Sequence, residues 1–398
     1  MNIPKLRFKE FTDEWKTIRL QKIISIYKEQ STIENQYPML TSSKQGLILQ
    51  KDYYSDNARI TNRSNIGYNI LPYGYITYRN RSDTGFFTFN INLKLEKGLI
   101  SYFYPVFSLV NSNKYFLVNL LNAKYQFKMY AISEGTSQKV LSITNLKKLK
   151  VLCPNLKEQN KIANFLSTVD KKISNLENII TTLENQKKGL LQQIFNQEIR
   201  FKDENGNNYP DWISSTIGKS GDFYYGKSAP KWSITDTATT PCVRYGELYT
   251  THKIIVKKIY SYTNIPKENL KFSTGNEVLV PRVGEEPLDF CKCCYLPFKN
   301  VAIGEMISVY NTKNNPLFIS YMFNATMKYK FARFVEGGNV SNLYYSYLKN
   351  IKIELPCLEE QTKIADFLSA FDRKIDNQKA QLEHWKQIKK GLLQQMFV

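Results

Sequence analysis

The sequence predicts an α+β protein. Two β-rich segments of similar fold are separated by a long antiparallel two-helix coiled coil, and the whole is a pseudo-twofold internal repeat. Three observations predict this. The chain repeats itself at a fixed offset. Two stretches hold an apolar period of 3.5 residues. The regions between them carry short apolar or alternating runs bounded by turn residues. At 398 residues, two or three domains of roughly 100–200 residues each are expected.

The repeat sets the frame. Pro154-Asn-Leu-Lys-Glu158-Gln159-Asn-Lys161-Ile162-Ala163-Asn-Phe165-Leu166-Ser167 lies without a gap on Pro356-Cys-Leu-Glu-Glu360-Gln361-Thr-Lys363-Ile364-Ala365-Asp-Phe367-Leu368-Ser369 at an offset of 202. The same offset lays Lys187-Lys-Gly-Leu-Leu-Gln-Gln-Ile-Phe195 on Lys389-Lys-Gly-Leu-Leu-Gln-Gln-Met-Phe397. Upstream, Leu6-Arg7-Phe8-Lys9 before Trp15 echoes Ile199-Arg200-Phe201-Lys202 before Trp212. The expected parts are a first β-rich segment over 1–150, a central helix over 151–198, a second segment over 199–352 and a C-terminal helix over 353–398.

Within the first helix, Ile162, Leu166, Val169, Ile173, Leu176, Ile180, Leu183, Lys187, Leu190 and Ile194 step by alternating fours and threes. In the second, Ile364, Leu368, Phe371, Ile375, Gln378, Leu382, Trp385, Lys389, Leu392 and Met396 do the same. This is an a/d seam. Each helix would run about 38 residues, or roughly 57 Å. Gln378, Lys187 and Lys389 interrupt the seam, as register-setting polar residues do. A short link after the first helix makes the pair antiparallel.

In the β-rich segments, strands are expected at 75–78, 86–89, 253–256 and 277–280, bounded by Pro72, Gly74, Gly85, Gly275 and Gly284. A helix is expected over 113–132, with Tyr115, Leu117, Leu120, Leu121, Tyr125 and Phe127 on its apolar side. Its counterpart falls near 315–334.

Composition narrows the function. The formal charge is +20, with 27 Tyr and 23 Phe. Basic side chains among aromatics suit phosphate backbones and bases, or a membrane face. No apolar run approaches the roughly 18–20 residues that span a bilayer. The opening Met1-Asn2-Ile3-Pro4-Lys5 lacks a signal-peptide core, so a cytoplasmic location is expected. The six cysteines, Cys153, Cys242, Cys291, Cys293, Cys294 and Cys357, show no disulfide framework. His252 and His384 are the two histidines, and neither opens an H-E-x-x-H hydrolase motif.

Three local motifs invite chemistry. Gly221-Asp-Phe-Tyr-Tyr-Gly226-Lys227-Ser228 fits G-x-x-x-x-G-K-[ST], the pattern of a P-loop NTPase. Bulky residues fill its wrap and Pro230 follows too soon for a helix. Cys291-Lys-Cys293-Cys294 puts successive thiols on opposite faces of a strand, which does not suit zinc. Asn315-Pro-Leu-Phe318 resembles the N-P-P-F motif of DNA amino-methyltransferases but lacks its second proline and any G-x-G loop. No catalytic residue, metal site or bound cofactor is therefore expected on this chain.

Polar and basic loops are the better candidates. Arg79, Asn80 and Arg81 follow a strand, and Arg282 holds a similar place in the second segment. Lys44, Gln138, Lys139, Lys227, Arg244 and Asn339 complete the expected DNA contacts. Arg reads guanine edges and Asn or Gln reads adenine. The loops at 136–139 and 338–341 fall at equivalent repeat positions.

Taken together, Leu-x-Glu-Gln-x-Lys-Ile-Ala-x-Phe-Leu-Ser and Lys-Lys-Gly-Leu-Leu-Gln-Gln, each present twice, resemble the conserved regions of the specificity subunit of type I restriction-modification systems. The resemblance covers essentially the whole chain. It implies that the β-rich segments are target recognition domains, each reading one half of a split double-stranded DNA target across a coil that acts as a ruler. It further implies two methyltransferase subunits docked on the conserved helices and two translocase-nuclease subunits. S-adenosylmethionine, ATP and Mg²⁺ would belong to those partners. The alternatives are a P-loop NTPase and a stand-alone DNA-binding structural protein.

Overall fold

A computed structural model describes residues 3–43, 46–53 and 64–398. Its contacts divide the chain into two compact units, Met1–Asn178 with Lys379–Val398, and Ile179–Gln378. Each unit holds one globular segment and part of both long helices.

The long helices are Leu156–Phe195, 40 residues, and Leu358–Gln395, 38 residues. They run antiparallel in each unit. In the first unit, Lys389 Nζ meets Asp170 Oδ1 at 2.6 Å and Lys386 Nζ meets Glu177 Oε1 at 2.8 Å. In the second, Lys187 Nζ meets Asp372 Oδ1 at 2.6 Å. Ile162, Leu166, Val169, Leu176, Ile180, Leu183, Ile364, Leu368 and Ile375 are buried. Ile173, Leu190, Phe371, Leu382, Trp385 and Leu392 are half-buried, and His384 is exposed. Near the helix ends the globular cores add to the cover, Leu392 packing against the first core and Leu191 against the second.

The first globular segment is built on a four-stranded antiparallel sheet in the order Ile24–Tyr27, Val106–Leu109, Ile76–Tyr78, Phe89–Ile91. The second has the same order in Gly221–Tyr225, Ile307–Thr312, Glu277–Pro281, Cys294–Leu296. In each, a strand near the start of the segment pairs with the one leading into the long helix: Lys16–Arg19 with Lys150–Cys153, and Ile213–Thr216 with Lys352–Leu355.

The helix over 113–132 is two pieces, Lys114–Lys124 and Gln126–Ala131. Its counterpart breaks likewise, into Pro316–Thr326 and Lys328–Ala332. Tyr125 and Met327 sit at the breaks, 202 residues apart. The break turns the second piece, so Phe127, expected on the apolar side, is 84% exposed. Two strand expectations also change. The stretch 253–256 makes only a bridge, Ile255 to Tyr295. Residues 86–88 precede a strand that begins at Phe89, and Phe86 is exposed. An apolar run four residues long does not fix a strand without a free partner edge.

Each globular core closes over its helices. The first packs Trp15, Phe107, Phe116, Ile162, Leu166 and Phe397 together. The second packs Ile217, Phe318, Phe323, Ile364, Leu368 and Ile194. The repeated Glu-Gln pair anchors each arrangement. Glu158 accepts two hydrogen bonds from Arg7, both 2.8 Å, and one from the Trp15 indole. Glu360 accepts two from Arg200, at 2.8 and 2.9 Å. Gln159 Oε1 accepts from the Asn113 amide, and Gln361 Oε1 from the Asn315 amide. Asn113 and Asn315 in turn cap the helices that follow. Asn315-Pro-Leu-Phe318 is therefore a helix start, with its asparagine accepting from the Leu317 and Phe318 amides.

Candidate nucleic-acid interface

Beyond the central strand of each sheet, both segments build the same small ladder. Arg81–Ser82 pairs with Lys139–Val140, and Val283–Gly284 pairs with Ser341–Leu343. The registers Val140 to Arg81 and Asn342 to Val283 correspond residue for residue at the 202 offset. So do the hydrogen bonds from Leu141 N to Asn80 O and from Leu343 N to Arg282 O, both 2.8 Å. Asn80 and Arg282 therefore occupy one structural position.

Gly135 and Gly337 hold the returning turns. Their φ angles are +92° and +119°, and a Cβ would sit 2.3 Å from Gln138 O or 2.7 Å from Val340 O. Only glycine fits such a backbone without strain.

On the first ladder, Arg79 and Arg81 are exposed and Asn80 is half-buried. The Arg81 guanidinium lies 4.3 Å from the Phe103 ring centre. Gln138 donates to Asp83 at 2.7 Å, and the Lys139 ammonium lies 4.7 Å over Tyr130. These residues come together from sequence positions about 55 apart. Lys44 lies outside the described residues.

The second segment gathers a comparable set. The Arg282 guanidinium lies 4.4 Å from Tyr225 and 5.4 Å from Tyr344. Its amide donates to Met306 O at 3.1 Å. Glu305 N donates to Ser228 O, and Gly304 N to Val243 O. Those bonds bring the loops of Lys227 and Arg244 beside Arg282. Ser228, Lys231, Arg244, Val283 and Glu305 line one cavity of about 220 Å³. Asn339 is exposed in the turn between Val335–Gly337 and Ser341–Leu343. Burial pushes the Tyr225 phenol up, and the Arg282 charge opposes that.

Spacing in the sequence missed the ring platforms Phe103, Tyr225 and Tyr344. Nothing local links an aromatic to an arginine about 20 or 60 residues away. The two tyrosines beside Lys227 were visible only as part of the P-loop pattern.

That pattern is not a phosphate loop. Gly221–Tyr225 is a strand, and the Gly226 and Lys227 amides already donate to Ile307 O and Ile303 O. Ser228 and Ala229 take positive φ, and a three-residue turn of 3₁₀ helix follows where a phosphate-binding helix would start. Cys293 and Cys294 face different cores. Among the described residues no group of three or more His, Cys, Asp or Glu gathers as metal ligands. Burial pushes the His252 imidazole down despite Glu247, favouring its neutral form. No helix among the described residues is long and apolar enough to cross a membrane.

Comparison with known proteins agrees with this architecture. A putative type I restriction enzyme specificity subunit, MjaX, from Methanocaldococcus jannaschii is 28% identical over 306 residues, 71% of this chain and 68% of the relative. The crystal structure of a type I restriction-modification S subunit from M. genitalium covers 100% of this chain and 99% of its own, with a TM-score of 0.61 at 16% identity. A chain from a structure addressing complex assembly and conformational transition of the type I system covers 96% of this chain and 97% of its own, with a TM-score of 0.53 at 14% identity. The sequence profile of the type I restriction modification DNA specificity domain matches residues 12–185 and again 200–385. The chain belongs to that family, as a specificity subunit carrying two DNA specificity domains.

Proposed function

We propose that each globular segment reads one half of a bipartite double-stranded DNA target and that this chain performs no catalysis. Arg79, Asn80, Arg81, Gln138 and Lys139 meet one half-site, together with Lys44. Lys227, Arg244, Arg282 and Asn339 meet the other. The long helices dock two methyltransferase subunits, to which two translocase-nuclease subunits are added. S-adenosylmethionine, ATP and Mg²⁺ are held by those partners. The protein works in the cytoplasm, where its DNA is.

One observation carries this reading. The same ladder is built twice with matched registers, yet different side chains stand on it. A shared scaffold with divergent polar residues is what reading two different sequences requires, because base edges are distinguished by donor and acceptor pattern. The +20 charge supplies the sequence-independent attraction to phosphate.

The test is co-expression with a methyltransferase subunit. A stable assembly with sequence-specific DNA binding, and no ATP turnover by this chain alone, is expected. Full specificity from the solitary chain would instead favour a stand-alone binding protein.

A further inference from the structure

The interface holds four arginines near the two ladders, and they fall into two kinds. Arg81 lies against Phe103 and Arg282 against Tyr225 and Tyr344. Arg79 and Arg244 lie over no ring among the described residues. The difference has a chemical meaning. A phosphate contact asks only for charge within reach. Bidentate contact with guanine O6 and N7 asks for a guanidinium held in one plane. Stacking on an aromatic face supplies that plane before DNA arrives, so less side-chain freedom is lost on binding.

Backbone bonds fix the platforms. Asn80 N donates to Phe103 O at 3.4 Å, which seats that ring beside Arg81. Tyr225 ends a central-sheet strand, and its neighbour Gly226 donates to Ile307 O at 3.0 Å. Arg282 Nε is buried without a hydrogen-bond partner. Nη1 donates to Glu305 O at 3.5 Å, which leaves its second N–H and Nη2 for a guanine. Asn80 is the opposite case. Its Oδ1 is buried and unpartnered, and whichever way the amide is turned one end is enclosed. A bidentate adenine contact needs both ends.

We propose that Arg81 and Arg282 each read a guanine, one in each half of the target. Arg79 and Arg244 hold backbone phosphates. Asn80 meets its half-site without a bidentate base contact. This assignment rests on the functional reading above. It also places the two readers in different frames. Arg282 stands at the repeat position of Asn80, whereas Arg81 stands one residue further on.

The experiment uses the full chain assembled with its methyltransferase subunits. Methylated sites in cellular DNA give the wild-type motif, and binding to duplexes carrying that motif is then measured. Replacing the assigned guanine with 7-deazaguanine removes N7 and requires no protein variant. It should weaken wild-type binding roughly 5- to 150-fold at one position of each half-site. Arg282→Ala should relax one guanine in one half only, Arg81→Ala one guanine in the other, and Lys at either place should not restore discrimination. Arg79→Ala should weaken all sequences alike and lower the salt slope by about 1. A half-site without guanine, indifference to 7-deazaguanine, or a uniform loss with Arg81→Ala or Arg282→Ala would overturn the assignment. A wild-type assembly with no sequence preference would defeat the functional reading itself.

Discussion

Single buried groups carry much of the architecture. Glu158 is 1% exposed and serves Arg7 and the Trp15 indole together. Removing the carboxylate leaves the Trp15 indole N–H without an acceptor and the Arg7 guanidinium with only the Asp13 carbonyl and no paired countercharge. Glu158→Ala is therefore expected to cost about 3–5 kcal/mol, the usual loss on orphaning one partner of a buried pair. Chemical denaturation at neutral pH checks it. The repeat made Glu158, Glu360, Arg7 and Arg200 visible in the sequence, but not that they pair, because each arginine is brought in from more than 150 residues away. The thiols give a second prediction. Burial pushes Cys153, Cys242 and Cys294 up to about 12, and Cys291 and Cys293 are raised as well. Cys357 alone is half-exposed. At pH 8, iodoacetamide should modify Cys357 first and the other five only on unfolding. Because folded thiols hold their protons longer than unfolded ones, their stabilisation is complete below about pH 9 and is lost as pH rises towards 12. The melting temperature should fall across that window.

At the scale of elements, the two lysines that interrupt the helical seam have repeat-equivalent partners. Lys187 pairs with Asp372 and Lys389 with Asp170. Tyr321 also donates to Asp372 at 2.6 Å, and Tyr115 donates to Asp170. These tyrosines differ by one helical turn after the 202 offset, so one pin is built from two different positions. The heptads were legible because a seam needs only local periodicity. The pins were not, because each closes across two or three elements. Lys187 and Asp372 are each less than a third exposed. Asp372→Ala should cost about 1–2 kcal/mol, between a surface and a fully buried pair. The double variant Lys187→Met, Asp372→Leu should recover part of that loss in thermal melts, since it removes both charges but still leaves the Tyr321 hydroxyl without its acceptor. A double variant as unstable as the single one would show that the pair is not what holds the site. The extra sheet of the second segment, Ser261–Thr263, Thr240–Val243, Lys299–Ile303 and Phe272–Thr274, escaped sequence reading. It contains a parallel pair, Thr240–Val243 with Lys299–Ile303, which leaves no hairpin signal.

For the whole molecule, the repeat is the main fact. One plan of sheet, capped helix, ladder and long helix is used twice, with the Glu-Gln pair closing each copy. The ladder residues vary while the Arg–Glu and Gln–Asn fastenings are the same in both copies. Motif spacing alone suggested a nucleotide loop and a methyltransferase motif. Both became structural once the strand Gly221–Tyr225 and the cap at Asn315 were seen. If the coil sets the distance between half-sites, deleting equivalent whole heptads from both long helices should change the spacer of the recognised motif and leave its half-sites unchanged. An unaltered spacer would remove the ruler role. The central claim is that this chain directs methylation to a bipartite sequence through two separate readers. Genome-wide methylation mapping, with the chain intact and with Arg81 or Arg282 replaced by Ala, tests it most directly. The account predicts a two-part motif that disappears when the chain is deleted and that loosens in a different half for each variant. A motif that survives deletion, or loosens in the same half for both, would contradict it.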